Sequence, residues 1–321
     1  MKVAVLSGGV SPEHDVSLNS GRSVAEGLIE AGHEPLEVLI SKEGEWTHHG
    51  ESIPLTPAQG LLGCDVAFPA LHGPGGEDGT VQAVFEVLDI AYVGSGVEAS
   101  AVCMDKLALK SIAASVGISQ VAYVEATNAD PAPEGVTELG LPLWVKPAHG
   151  GSSLGISRVE SLDDLPEAVR LAASMDSRVI IESNSTGKEV ECSVLGNGDP
   201  VTSRPGELGV NAEWYDYEAK YQEGGMDLTV PAGISDSASR EVERLALEVF
   251  RLAGCQGMAR CDFFVEDELV VLNEVNTIPG FTSTSVYAKL LEESGISYPE
   301  LCNRLLDLAL EAKSQRESLR G

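Results

Sequence analysis

Residues 258–285 read MARCDFFVEDELVVLNEVNTIPGFTSTS, and the order of apolar and charged positions in that run decides the fold. Residues 261–265 and 269–276 are rich in strand formers and flank the acidic turn Glu266-Asp267-Glu268, which predicts two antiparallel strands. Side chains alternate along a strand, so Arg260 and Asp262 take one face while Cys261, Phe263 and Val265 take the other. A turn centred near Asp267 would set even-numbered residues opposite even-numbered ones, adding Glu274 and Asn276 to the face of Arg260 and Asp262. One face of the hairpin then carries two carboxylates, an amide and a guanidinium.

Mg²⁺ takes oxygen ligands in near-octahedral geometry, usually one or two carboxylates with substrate phosphates and water in the remaining positions. Asp262, Glu274 and Asn276 meet that demand as metal ligands. The plainer alternative is an edge hairpin whose polar face is simply wet. Two features favour the site: Asn276-Thr277-Ile278-Pro279-Gly280 follows as a turn that would leave backbone N–H groups open, and Ser283, Thr284 and Ser285 then supply hydroxyls.

At 321 residues the chain suits two or three domains. Fifty acidic against 21 basic residues give a net charge of −29, which disfavours nucleic acid and anionic membrane as partners. Any site for a polyphosphate must concentrate its few cations locally. The six cysteines are scattered with no CxxC pair, suggesting neither zinc nor a disulfide framework, and reduced thiols in the cytoplasm are the expectation. No basic-then-apolar leader and no apolar run of spanning length is present.

From the start, residues 2–6 read as a buried strand, 7–12 as a glycine-rich turn, and 16–31 as a helix stopped by Gly32. The loop lacks GxxxxGK[ST] and GxGxxG, so neither a P-loop nor a dinucleotide site is supported. Glu13, in that loop, is either a solvated helix start or a ligand-binding group. Residues 64–70 form a second buried strand leading into HGPGGEDG (72–79) and a helix with Val81, Val84, Phe85 and Leu88 on one face. His72, at that strand's end, has a structural reading as well as a functional one. Behind Gly94-Ser95-Gly96 a helix opens that runs through Met104-Asp105-Lys106, and residues 116–124 return to a strand. The strand 141–146 ends in Lys146-Pro147 and enters AHGGSSLG (148–155), whose consecutive N–H groups make a nest for phosphate oxygens with Lys146 as a point charge. Residues 161–175 read as a helix with Ser161 as N-cap, and 179–182 as a strand. Glu189 and Glu191 alternate as they would on an edge strand. Residues 211–227, NAEWYDYEAKYQEGGMD, follow no period, and an aromatic loop of that length reads as a lid. Helices over 237–253 and 298–312 close the chain.

Five of these runs together resemble the D-alanine-D-alanine ligases of the ATP-grasp superfamily: RxD…ExNTxPGxTxxS, GGxSxExxVS, HGxxGEDG, SAxxMDK and the Lys-Pro glycine-rich loop. The resemblance covers nearly the whole chain. It implies an α/β protein with a three-domain ATP-grasp architecture: an N-terminal open-sheet α/β substrate domain (1–96), a central domain with the phosphate loop (97–184), and a C-terminal domain with the ω-loop and Mg²⁺ site (185–321). ATP would lie between the last two.

The resemblance further implies two Mg²⁺ ions on Asp262, Glu274 and Asn276, with Mn²⁺ able to substitute. Arg260 and the backbone N–H of Gly280 would hold the oxyanion, and Glu13 the amino group of the first D-alanine, with His72 beside it. Lys106, Lys146, Lys220 and Ser152 would serve the phosphates, and Glu182 and Glu189 the adenine and ribose. Tyr221 would bond towards Glu13 and Ser152, and Ser285 and Tyr215 would hold the second D-alanine. Many relatives carry Arg-Glu where this chain has His149-Gly150. The implied activity is ATP-dependent ligation of two D-alanines through an acyl phosphate, for peptidoglycan precursors, by a cytoplasmic homodimer. D-alanine-D-lactate and D-alanine-D-serine ligation are the alternatives within the fold, and a non-catalytic ATP-binding module is the alternative outside it.

Overall fold

The computed structural model describes residues 1–151, 154–209 and 227–320. Its strands fall into three sheets, each built from a consecutive part of the chain. The first part comprises β1 (Lys2–Gly8), α1 (His14–Glu30), β2 (Glu34–Ile40), β3 (Trp46–His48), β4 (Glu51–Ser52), β5 (Val66–Pro69), α2 (Thr80–Leu88) and β6 (Ala91–Tyr92). The strand order is β4-β3-β2-β1-β5-β6, with β2, β1, β5 and β6 parallel and β3 and β4 antiparallel at one edge. Val3 to Leu6 are buried, as an interior parallel strand covered on both faces requires. The loops after β1 and β5 therefore open at the same end of the sheet, where ligands of open α/β sheets bind.

Next come α3 (Val97–Met104), α4 (Lys106–Ser115), β7 (Tyr123–Ala126), a 3₁₀ turn (Val136–Leu139), β8 (Leu143–Pro147), β9 (Ser157–Val159), α5 (Leu165–Ala173) and β10 (Val179–Ser183). The sheet is antiparallel in the order β7-β10-β8-β9, with α5 on one face through Leu165, Val169 and Ala172.

Three expectations change here. The helix through Met104-Asp105-Lys106 is two helices. Asp105 is extended (φ −83, ψ 100) and its side chain accepts from Leu107 and Ala108 N–H, so it ends α3 and caps α4. Residues 116–122 are not strand; β7 begins only at Tyr123. The helix expected from Ser161 starts at Leu165, because Pro166 is tolerated in a first turn but would break a helix already under way. Ser161 instead caps the preceding turn, accepting from Asp163 N–H at 3.3 Å.

The third part holds β11 (Lys188–Gly196), β12 (Val201–Thr202), β13 (Gly206–Gly209), β14 (Asp227–Thr229), α6 (Asp236–Leu252), β15 (Gly257–Glu266), β16 (Leu269–Asn276), α7 (Val286–Glu293) and α8 (Tyr298–Arg320). Its strands run β14-β13-β11-β15-β16, with β12 on β11. Val242, Leu245, Val249 and Phe250 of α6 pack on Val190, Cys192, Val194, Cys261 and Phe263. The opposite face is left to Glu189, Glu191, Arg260 and Asp262. α8 returns to the first sheet, where Leu301, Leu305 and Leu306 share a core with Val3, Val5, Val66 and Phe68. Phe281 joins that core with its ring 5.3 Å from Phe68, so the turn after β16 is fixed against the first sheet.

Candidate active site

The expected hairpin is β15–β16, and its register pairs Arg260 with Asn276 and Asp262 with Glu274. The pairing holds for a reason other than the expected one. At the turn Glu266 pairs Leu269 and Phe264 pairs Val271, so there even faces odd. A β-bulge between Asp262 and Phe263 then leaves Asn273 as an extra residue on β16 and restores even to even. Burial records the same slip: Val270, Leu272 and Val275 are buried, a spacing of two and then three.

Asp262 is 2% exposed and receives the Arg260 fork, Nε to Oδ1 at 2.8 Å and Nη2 to Oδ2 at 2.7 Å. Asn276 donates its amide to Asp262 Oδ2 at 3.0 Å. Arg260 Nε also lies 2.9 Å from Glu191 Oε2, a partner the sequence did not single out as one. β11 is an interior strand between β13 and β15, which removes the edge-strand reading of Glu189 and Glu191 and sets Glu191 directly across from Asp262. Burial works against the Arg260 charge, yet Asp262, Glu191 and Glu274 outweigh it and hold its pKa well above the usual value. Among the described residues no group of three or more His, Cys, Asp and Glu forms a metal cage. Asp262, Glu274 and Asn276 supply an oxygen-only set, and a carboxylate's four or so lone-pair sites let Asp262 serve Arg260 and a cation together. That set fits a hard divalent cation whose shell is completed by phosphate and water.

Three loops meet this face. Glu13 is buried at the head of α1, and a Cβ on Gly73 (φ +70) would stand 2.4 Å from its Oε2, so only glycine fits there. A Cβ on Gly151, in the glycine-rich loop, would stand 3.6 Å from the same oxygen. Glu13 thus lies where the first-sheet loops and the central loop come together. Glu77 accepts from Gly73 N–H at 2.8 Å, and Asp78 from Gly75 and Thr80 N–H at 2.8 and 2.9 Å, which orders the HGPGGEDG loop. Burial and the nearby Glu13 carboxylate push Glu77 up to about 8, despite the opposing Gly73 N–H and Arg260. His72 is buried, 2.8 Å from Ser20 Oγ through Nε2, and its burial pushes it down to about 4 although a hydrogen bond with the Ile278 backbone works the other way. His72 is therefore neutral and ties the first sheet to the turn after β16.

Lys146 Nζ is 2.6 Å from Glu182 Oε2. Burial opposes the Lys146 charge, but Glu182, Glu274 and Glu189 together raise its pKa, which brings the hairpin face and the central sheet into one electrostatic field. Glu182 meets a second lysine, Lys110, at 2.9 Å from Oε1. Burial pushes Glu182 up, and Lys146 and Lys110 overcome it to hold the carboxyl at about 2. Lys110 escaped the sequence reading although it lies four residues after Lys106, on the same face of α4. Lys106 Nζ donates to Gly150 O at 2.6 Å. His149 anchors that loop: its N–H and Nδ1 lie 2.7 and 2.8 Å from Asp176 Oδ2, and Nε2 lies 3.4 Å from Asp105 Oδ2.

On the far side of the hairpin turn, Ser285 Oγ accepts from Thr282 N–H at 3.0 Å, and a Cβ on Gly280 would stand 3.4 Å from it. Gly280 and Ser285 are thus neighbours in the turn that follows β16. Ser152, Tyr215, Lys220 and Tyr221 lie outside the described residues.

Comparison with known proteins agrees with this assembly. The D-ala D-ala ligase C-terminus family model matches residues 112–307, and the D-ala D-ala ligase N-terminus model matches residues 2–60 and 51–95. The D-alanine--D-alanine ligase of Deinococcus radiodurans is 45% identical, with 97% of this chain and 99% of the relative covered. That of Geobacillus kaustophilus is 40% identical over 99% of this chain and 97% of the relative. Among solved structures, the D-alanine-D-alanine ligase of Coxiella burnetii superposes with a TM-score of 0.88 at 31% identity, covering 99% of this chain and 96% of the other. The VanG D-Ala:D-Ser ligase of Enterococcus faecalis gives 0.86 at 33%, covering 96% and 99%. Motifs, three-sheet α/β architecture and full-length similarity agree: the chain has the ATP-grasp fold and belongs to the D-alanine-D-alanine ligase family.

Proposed function

We propose that the chain joins two D-alanines into D-alanyl-D-alanine with ATP cleaved to ADP and phosphate, supplying precursors of bacterial peptidoglycan. The observation that carries this reading is that side chains from all three parts of the chain share one electrostatic neighbourhood: Glu13, Arg260 and Glu274 all act on Glu77, Glu274 also acts on Lys146, and Arg260 holds Asp262. Bonds must be made there between an amino acid held by its ammonium and a phosphate held by cations.

The first D-alanine, its ammonium on Glu13 beside His72, turns its carboxylate towards the γ-phosphate. Attack gives ADP and an acyl phosphate, and the amine of the second D-alanine displaces phosphate from that carbonyl. Lys106 and Lys146 counter the phosphate charge, joined in our reading by Ser152 and Lys220. Arg260 spends its fork on Asp262, and its other donors, of the five a guanidinium carries, go with Gly280 N–H to the tetrahedral oxyanion. Ser285 and Tyr215 take the second substrate, Tyr221 closes towards Glu13 and Ser152, and Glu182 and Glu189 take the adenine and ribose. Asp262, Glu274 and Asn276 would hold two Mg²⁺ ions, or Mn²⁺ in their place, whose chemistry when bound is to neutralise phosphate charge.

We divide the chain at 96/97 and 184/185, a division supported by the three sheets, with α8 lying back on the first. No helix among the described residues is long and apolar enough to cross a membrane. A cytoplasmic location without nucleic-acid or membrane partners accords with the net charge of −29 and with cysteines that are free among the described residues; the homodimer is our reading from the family alone. The D-serine alternative finds support in one structural neighbour, but the relatives of 40–45% identity share the name D-alanine--D-alanine ligase. The deciding experiment is phosphate release from ATP with and without D-alanine. Release should require D-alanine, and release indifferent to it would contradict the reading.

A further inference from the structure

Lys110 is 2% exposed, and its Nζ lies 2.9 Å from Glu182 Oε1, 3.4 Å from Val121 O and 5.2 Å from the centre of the Tyr123 ring. A buried ammonium is costly unless paired, and an aliphatic side chain of similar length would fill the same space without that cost. Lys106, one turn earlier on α4, reaches the loop at Gly150, whereas Lys110 points at the carboxylate that Lys146 already holds at 2.6 Å. Glu182 therefore has one lysine on each oxygen. Two ammonium groups and one carboxylate leave the cluster with a charge of +1.

That surplus matters because Lys146 also feels Glu274 and Glu189 in a chain with a net charge of −29. With Glu182 as its sole close partner, Lys146 would form a neutral pair and offer little to a polyphosphate. We infer that Lys110 is a positioning residue for the nucleotide site: by taking Glu182 Oε1 it shares the carboxylate and keeps the charge of Lys146 available to phosphate. The inference rests on the reading of Lys146 as a phosphate ligand. It concerns charge, so it differs from a packing role in what a second substitution does.

Inorganic tripolyphosphate is the probe, because it meets the phosphate site without an adenine that Glu182 would touch. Its affinity for the full chain is measured by calorimetry. Lys110→Met leaves a neutral Lys146–Glu182 pair and should weaken binding about tenfold, the effect of one nearby charge in a partly screened site. Lys110→Met combined with Glu182→Gln restores +1 on Lys146 and should return affinity to within about threefold of wild type. A packing role would make that double variant the weaker of the two. The double variant buries no unpaired charge beyond Lys146, so it decides the question alone if Lys110→Met does not fold. Unchanged affinity in Lys110→Met, or a double variant no better than the single one, overturns the inference. Lys146→Ala separates the levels: if it binds like wild type, the phosphate reading fails and takes the inference with it. If Lys146→Ala loses binding and Lys110→Met does not, the inference alone fails.

Discussion

Asp262 stands opposite Glu274 across the β15–β16 ladder, and the two meet at a bulge whose extra residue is Asn273. A bulge bends its strand and adds twist, and near active sites it re-aims a side chain. Removing Asn273 would leave a regular ladder with the same pairs, since Leu272 already pairs Phe263. The deletion variant should therefore fold, with a melting temperature close to wild type. It should also lose about 100-fold in turnover, because straightening shifts Glu274 and Asn276 by an ångström or so. Full activity in that variant would show that the bulge aims nothing.

The two carboxylates should differ in what they cost. Glu274→Gln should abolish turnover at ordinary Mg²⁺ and cost less stability in urea unfolding, because Arg260 and Lys146 each keep a closer carboxylate. Asp262→Asn should abolish turnover and also destabilise by about 2 kcal/mol, since it takes half of a buried fork from Arg260 while Glu191 remains. Equal stability of the two variants would contradict the pairing described.

His72 makes stability fall in acid. Its folded-state pKa is pushed down to about 4 against 6.5 for an ordinary histidine, so below about 6.5 the unfolded chain binds a proton that the folded chain refuses. Its contribution is complete above 6.5 and is lost as the pH falls towards 4. Between pH 7.5 and pH 5 that amounts to about 2 kcal/mol. Glu77, pushed up to about 8, contributes in the opposite sense over the same window, so the readout is a difference: wild-type stability relative to His72→Gln should drop by about 2 kcal/mol from pH 7.5 to pH 5 in urea titrations, and a difference independent of pH would count against it.

His149 secures the glycine-rich loop through Asp176 on one side and Asp105 on the other. His149→Ala should raise the KM for ATP about fivefold, the worth of one charge-assisted hydrogen bond at a half-exposed site, and leave kcat nearly unchanged. Steady-state kinetics with varied ATP checks this.

Much of the site was legible because its motifs carry their own geometry: glycines that admit Glu13, alternation that gathers Arg260 and Asp262, and a Lys-Pro strand end. The bulge was not, since Asn273 looks like any strand residue and only the ladder count reveals it. The expected parity came out right because two errors, a turn half a residue off and an unseen bulge, cancelled. Lys110 and Glu191 were missed because each acts on another protein group, Glu182 and Arg260, and no spacing rule distinguishes that from a solvated charge. Asp105 was read as mid-helix since capping needs an extended backbone that propensity alone does not declare.

Product identity tests the central claim most directly. An ammonium has no lone pair, so the second D-alanine must lose a proton before attack, whereas a hydroxyl nucleophile need not. Dipeptide formation should accordingly rise between about pH 6 and pH 9, in line with α-amino titration. D-serine differs by one hydroxyl, and an apolar pocket rejects such an analogue by only about 100-fold. The measurement is mass-resolved product analysis at pH 7.5 with ATP, Mg²⁺ and equal D-alanine, D-serine and D-lactate. D-alanyl-D-alanine should make up the majority of the product, with D-alanyl-D-serine minor; a majority of D-alanyl-D-lactate, or ATP consumed without any ligated product, would contradict the account.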